Sequence, residues 1–461
     1  MFIKNFKITI TIILLLLNYC SFAQEITENI EQKTLELFQN KQYKRLIYVG
    51  EEAIKNKTDY FFLRFRIGVA YYELGNYRMA THHLEKALVY NSDDPSELEY
   101  LYYSYVFSGR ITDANYITNK MTEDLKEKIG YKTKFLSNVY VEGGISLSNN
   151  ISKNAGIDID DTTNIYGEND MNNNVLYGHV GLKHELSPFL SIYHGFSHID
   201  IEKRKIISIQ KWDSVGNYQN FDSVCNYTLT QNEYYINSDI QLKMGLKLTP
   251  AFHFIHVSAN SLMYQYDTAT FIGTFFPTTL NVNNYVVSLA ISKEYKRFSL
   301  SLFGTYSNLN SAKQIQGGAS ISYFPFGNLN LYTNTSLVYF YQKKSGGQGQ
   351  GSSKENRFIF DQMLGLKLFP KLWTEVSVTL GNLANYNEKN AFIVYNIADK
   401  INLKAGISFI YSLSSKIELS LRYQFLNRES NYITYQNQQT SILKTINYQN
   451  NTIIGGIKWK L

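Results

Sequence analysis

From about Phe135 to Leu461 the chain alternates apolar and polar residues in blocks. "KIELSLRYQF" sets Ile417, Leu419, Leu421, Tyr423 and Phe425 against Glu418, Ser420, Arg422 and Gln424. "DIQLKMGLKL" sets Ile240, Leu242, Met244, Leu246 and Leu248 against Gln241, Lys243, Gly245 and Lys247. Successive strand side chains point to opposite faces, so period two predicts strands with one apolar and one polar face. About 14 such segments follow one another, each as long as the roughly 9–11 tilted residues that cross a bilayer.

Residues 25–130 follow a different rule, with Leu, Glu, Lys and Ala at helical spacing. Tyr43, Tyr77 and Ile111 are spaced 77 − 43 = 34 and 111 − 77 = 34, and Leu46, Ala80 and Ala114 keep that step, as do Ala53, Ala87 and Met121. Within "IGVAYYELGNYRMATHHLEKAL", Gly68, Tyr71, Gly75, Tyr77, Ala80 and Ala87 fit the tetratricopeptide pattern of two packed helices, and Gly109 and Ala114 repeat Gly75 and Ala80. Arg64 stands where an aromatic is usual. Asp94, Pro95 and Glu97 predict a capped helix start.

The connections between strand segments sort into two kinds. Minimal turns are predicted at Ser187-Pro188, Thr249-Pro250, Tyr295-Lys296, Pro325 to Asn328, Phe369-Pro370 and Ser414-Ser415. Between them come long polar stretches such as "NNISKNAGIDIDDTTNIYGENDMN", "WDSVGNYQNFDSVCNY" and "KSGGQGQGSSKEN". Short turns on one side and long loops on the other are the layout of a membrane barrel, in which the last strand pairs with the first and removes both edges. The final strand, with Ile453, Gly455, Ile457, Trp459 and Leu461 on one face, fits that closure.

The N-terminus reads as a secretory signal, residues 1–23, with Lys4 and Lys7, a short apolar run and a small-x-small site ending at Ala23. Its removal lowers the net charge from +6 to 6 − 2 = +4, too weak and dispersed to indicate nucleic acid. Of two cysteines only Cys225 remains, which rules out an intrachain disulfide. There are 38 Tyr and 28 Phe, and no later apolar run long enough for a spanning helix, so any membrane segment is β.

Strand parity places Lys183, Lys243, Lys247, Lys367, Lys458 and Lys460 inward near the short turns, with Glu185, Glu375 and Glu418 at similar depth. This is either a basic mouth for anionic substrates or a set of lumen ion pairs. His179, His194, His198 and His256 are assigned inward, and His184 and His253 outward. No acid or cysteine stands at metal-site spacing, and no serine–carboxylate set accompanies the histidines, so no metal, cofactor or catalytic residue is expected. Asp158, Asp160 and Asp161 lack the ligand spacing of a calcium loop.

A signal peptide, a short tetratricopeptide solenoid and a C-terminal barrel together resemble the YaiO-type outer-membrane proteins, and share their plan with exopolysaccharide exporters and surface lipoprotein assembly modulators. The expected fold is α plus membrane β: a periplasmic solenoid of about three repeats at residues 24–130, then a transmembrane antiparallel barrel of about 14 strands at 131–461. The resemblance implies a non-enzymatic protein of the Gram-negative outer membrane, exporting a polysaccharide or surface protein. The alternative is a non-conducting anchor and interaction platform. Expected partners are outer-membrane lipid, a periplasmic or outer-membrane protein at the repeats, and the barrel-assembly machinery. A tether of a few residues between Ile129 and Phe135 is expected to hold the solenoid by the periplasmic mouth.

Overall fold

The computed structural model describes residues 29–132, 134–154, 156, 166–212, 218–243, 245–267, 272–344, 353–435 and 441–461. The predicted signal peptide and the aspartates at 158, 160 and 161 lie outside the described residues. Two compact units are resolved: one holds the chain through Lys132 with two short later segments, the other nearly all of Thr133–Leu461.

The first unit begins with helices α1 (residues 29–39), α2 (Tyr43–Lys55), α3 (Phe61–Glu73), α4 (Tyr77–Ala87), α5 (Pro95–Phe107), α6 (Ile111–Ile117) and α7 (Glu123–Lys128). Helices α2, α4 and α6 start 34 residues apart, so the sequence period is also the helix period. The turns into α4 and α6 pass through Gly75 and Gly109 at φ +72° and +79°, left-handed conformations that cost glycine nothing. A Cβ on Gly68 would meet Leu84 at 2.7 Å, so this glycine lets α3 lie close against α4. Ala80, Ala87 and Ala114 are buried, and Tyr71 packs beside them. Arg64, at the position usual for an aromatic, is buried with a two-pronged bond to Asp59 at 2.7 and 2.5 Å. Asp94 caps α5 by accepting from the Glu97 N–H at 2.9 Å.

The second unit is a closed antiparallel barrel of 14 strands. They are β1 (Leu136–Ser148), β2 (Tyr166–Ser187), β3 (Leu190–Trp212), β4 (Tyr218–Gln241), β5 (Leu246–Asp267), β6 (Ile272–Tyr295), β7 (Phe298–Ser307), β8 (Ala312–Tyr323), β9 (Leu331–Lys344), β10 (Ser353–Phe369) and β11 (Leu372–Leu380), then β14 (Lys400–Ser412), β15 (Ile417–Tyr435) and β16 (Ser441–Lys460). Closure is by β1 on β16, with Val139 opposite Trp459 and Val141 opposite Ile457. Trp459 and Ile453, each 52% exposed, and Ile457, 42% exposed, lie on the outer face within an outward belt of Leu, Ile, Val, Phe and Tyr from every strand. No helix among the described residues is long and apolar enough to span a membrane.

Several sequence expectations are corrected. The turn predicted at Thr249-Pro250 lies earlier, between Gln241 and Leu246, where Gly245 adopts φ +70°. Thr249 and Pro250 sit inside β5, and the β4–β5 ladder skips the residues opposite them because Pro250 has no N–H to give. This reverses the parity of β5: His253 points inward and is buried, and His256 points outward. The predicted loop at 212–227 is mostly strand, since β3 and β4 pair as far as Trp212 and Tyr218.

The loop-end mouth is partly roofed. Past the last residues paired with β1 and β14, β2 and β15 pair with each other, Tyr435 opposite Tyr166 and Ile433 opposite Glu168. To meet, these two free edges lean over the opening.

Candidate functional site

The connection from β11 to β14, residues 381–399, does not leave the barrel. It turns at Gly381 (φ +117°), forms a small hairpin of β12 (Asn387–Glu388) and β13 (Ile393–Val394), and packs against inward side chains around the whole wall. Leu383 and Tyr386 are buried with Val338, Phe340, Ile359, Ile401 and Leu426. Ala391, 0% exposed, sits with Ile255, Val257, Val286 and Leu309. Phe392 projects into a ring of aromatics, its centroid 5.3 Å from His179, 6.0 Å from Tyr193 and 5.2 Å from Tyr235.

Beyond its own small hairpin and two bonds to β14, from Gly381 N to Asn402 O (3.4 Å) and from Leu383 N to Ile401 O (3.1 Å), the backbone of this plug has no neighbouring strand, so side chains of the wall serve as its partners. Gln316 accepts from Asn387 N at 2.9 Å and donates to Asn387 O at 3.3 Å. His253 Nδ1 donates to Ala391 O at 2.7 Å, the Tyr235 hydroxyl to Asn390 O at 3.2 Å, and Arg357 to Ala384 O. Asn385 bridges Asn310 (2.5 Å) and Gln342 (2.8 Å). Lys404 pairs with Glu388, and Asp399 accepts from Asn172, Ser430 and Tyr448 at 2.6, 2.7 and 2.5 Å. Lys389, Asn390 and Ala391 adopt φ +50°, +55° and +65° in succession, a left-handed turn that non-glycine residues hold only when surrounding contacts enforce it.

The plug separates two cavities. One, of about 820 Å³, opens among residues of the turn end, including Lys183, Glu375, Glu418, Arg422 and Lys458, with Glu388 and Lys389 of the plug. The other, of about 1080 Å³, lies toward the loop end, floored by residues 396–399 and topped by Tyr166, Tyr432 and Tyr435.

The sequence-predicted lysines divide. Lys183 lies 3.0 Å from Glu185, Lys247 3.4 Å from Asp239 and Lys460 3.6 Å from Glu418, while Lys458 lines the turn-end cavity and Lys367 lies over the Trp373 ring. Lys243 is not inward; it is exposed in the β4–β5 turn that the apparent alternation had concealed. Of the histidines assigned inward, His179 is so placed. His194 and His198 alternate outward with Phe196. His194 Nε2 lies 3.1 Å from that of His184, and His198 contacts Asn232 and Asp200. No cluster of metal-ligating side chains occurs among the described residues. The plug itself was missed. Its signal in the sequence is a loop holding Leu383, Tyr386, Phe392, Ile393, Val394 and Ile397, where other loops hold Gly, Asn and Ser.

A closed, internally occupied 14-strand barrel after a helical unit is thus the class of protein defined here. No family model matches the chain, and no curated protein matches it. Among solved structures it is similar to the toluene transporter TodX of P. putida (TM-score 0.44, 8% identity, 70% of this chain and 90% of that one). It is also similar to a bacterial polysaccharide outer-membrane secretin (0.37, 6%, 72% and 100%) and to the translocator domain of autotransporter NalP from Neisseria meningitidis (0.30, 10%, 77% and 99%). At these scores the lumen's own residues carry the functional reading.

Proposed function

We propose that this is an outer-membrane channel held closed by residues 381–399, with a periplasmic tetratricopeptide-type domain that binds a protein partner. The outward apolar belt supports a bilayer location, since so large an exposed apolar surface is otherwise an association hazard. Short turns at one end and long hairpins at the other support placing the turns in the periplasm.

The observation that carries the channel reading is the construction of the plug. Barrels of about 8 strands are filled by wall side chains and those of 16–18 leave an aqueous pore, so 14 strands enclose more space than wall side chains occupy. Here that space is filled by an inserted segment held by individual side-chain bonds, some to its backbone and more to its own side chains, most worth only about 1 kcal/mol net. Such a segment can leave without unzipping a barrel strand. The runner-up, a permanently sealed anchor that displays the helical domain, is favoured by the two apolar clusters that also grip the plug.

Planar-bilayer recording discriminates the two. Full-length protein should be mostly closed, and a variant with residues 383–397 replaced by a Gly-Ser linker should conduct steadily. A deletion variant that folds, shown by heat-modifiable gel mobility, yet never conducts would leave the anchor.

A further inference from the structure

The lumen of a membrane barrel is ordinarily polar, but the loop-end cavity carries an apolar stretch along one side. Ile201, Leu229, Val257, Leu280 and Val282 line one side of it, from β3, β4, β5 and β6, and Ile397 of the plug lies in its floor. Leu280 remains 41% exposed although it faces the lumen. Apolar side chains on the lumen side gain nothing from the bilayer, so they cost solvation unless something apolar covers them. The other side carries Asn172, Ser430, Tyr432 and Tyr435, amide and hydroxyl groups.

The charged groups that β2, β3 and the plug bring to this cavity are already matched, and Lys344, exposed at the loop end of β9, is the exception. Glu168 lies 2.5 Å from Lys205 Nζ, Asp170 lies 3.2 Å from Lys203 Nζ, and Asp399 is satisfied by its three donors. A charged ligand seated against the floor and the β2–β3 wall, away from Lys344, would have to displace one of these pairs, whereas an uncharged one would not. A concave space of about this size, with an apolar side facing placed amide and hydroxyl groups, has the character of a small-molecule site.

We infer that the loop-end cavity binds a neutral amphipathic small molecule: its ring or short chain lies on the Leu229–Val257–Leu280 side, and its hydroxyl or amide end faces Ser430 and the Tyr432 hydroxyl. Residues 396–399 form the floor, so the occupant touches the plug directly, and its binding is linked to the plug's position. The inference deepens the channel reading, yet the site can exist in a barrel that never opens.

The probe is 4-fluorobenzyl alcohol, observed by fluorine NMR with full-length protein in detergent, and maltotriose is tested by saturation-transfer difference. Partition into micelles is common to wild type and variants, so differences between them report the protein alone. The expected result is line broadening with wild type, at least tenfold weaker affinity in Leu280→Glu and a smaller loss in Val282→Ser, with no transfer to maltotriose. Equal broadening in all three proteins, each folded by heat-modifiable mobility, would overturn the site. Transfer to maltotriose without broadening of the alcohol would overturn the ligand class in favour of a glycan. A protein that binds the alcohol but never conducts after plug deletion sinks the channel and keeps the site; the converse result does the opposite.

Discussion

The side-chain amide of Gln316 on β8 pairs with both backbone polar groups of Asn387 in the plug, accepting at 2.9 Å and donating at 3.3 Å. One wall side chain thereby does the work of a neighbouring strand for a residue that has none on that side. Gln316 is itself almost fully buried, so no water stands ready to replace it.

Removing that amide should therefore loosen the plug more than the barrel. Gln316→Leu keeps the bulk and leaves the Asn387 N–H and C=O unpaired, a cost of ~1–3 kcal/mol. If the cost falls on the closed state, the open fraction in planar-bilayer recordings should rise by roughly 5- to 150-fold. An unchanged open fraction would mean the plug does not move as the channel opens.

Phe392 gives a second, independent handle. Its ring contacts His179, Tyr193 and Tyr235 but is only half-buried, so Phe392→Ala should cost ~1.5–3 kcal/mol of plug seating. The measurement is protease sensitivity of residues 381–399 in the folded protein. Cleavage there at low protease, with the strands intact, is the expected outcome; cleavage confined to the long loops would argue against it.

In the helical unit, two glycines should fail for different reasons. Gly75→Ala meets nothing within 4 Å and pays only for its left-handed backbone, ~1 kcal/mol. Gly68→Ala drives a methyl into Leu84 at 2.7 Å and should cost more, ~1–3 kcal/mol. Thermal melts followed by helical circular dichroism order the two; a greater loss for Gly75→Ala would contradict the packing described.

Glu97 should make the helical unit less stable as pH rises. Its side chain is fully buried on α5, and burial, reinforced by Asp94, pushes its carboxyl up to about 8. Between the unfolded value near 4.5 and about 8 the folded state holds a proton that the unfolded state has released. Stability is therefore greatest below pH 4.5 for this group and falls through that window. Glu97→Gln should flatten the fall, read as the helical melting temperature from pH 5 to 8; identical slopes for the two proteins would contradict the assignment.

The barrel was legible because period two repeats over long stretches and the turns carry Pro, Gly and Ser. It misled where a turn interrupted the alternation without breaking it. Leu242, Met244, Leu246 and Leu248 continue in phase across a hairpin, and Pro250, inside β5, imitates the turn that Gly245 makes. The histidine and lysine misplacements on these strands follow from that slip and from reading β3 one residue out of phase. The plug was not legible, because its partners Gln316, His253, Tyr235 and Arg357 come from strands distant in sequence. No local period announces a segment that folds into a lumen. The helical unit read well because its 34-residue step fixes both glycine turns and buried alanines.

The central claim, that residues 381–399 occupy the lumen, is tested most directly by trapping them there. Asn310 and Asn385 touch at 2.5 Å across the interior. In a Cys225→Ser background, Asn310→Cys with Asn385→Cys should cross-link under mild oxidation in intact outer membranes, seen as a reducible mobility shift and a linked peptide by mass spectrometry. Failure to cross-link, while each single cysteine still reacts with a small maleimide, would place the segment elsewhere and contradict the account.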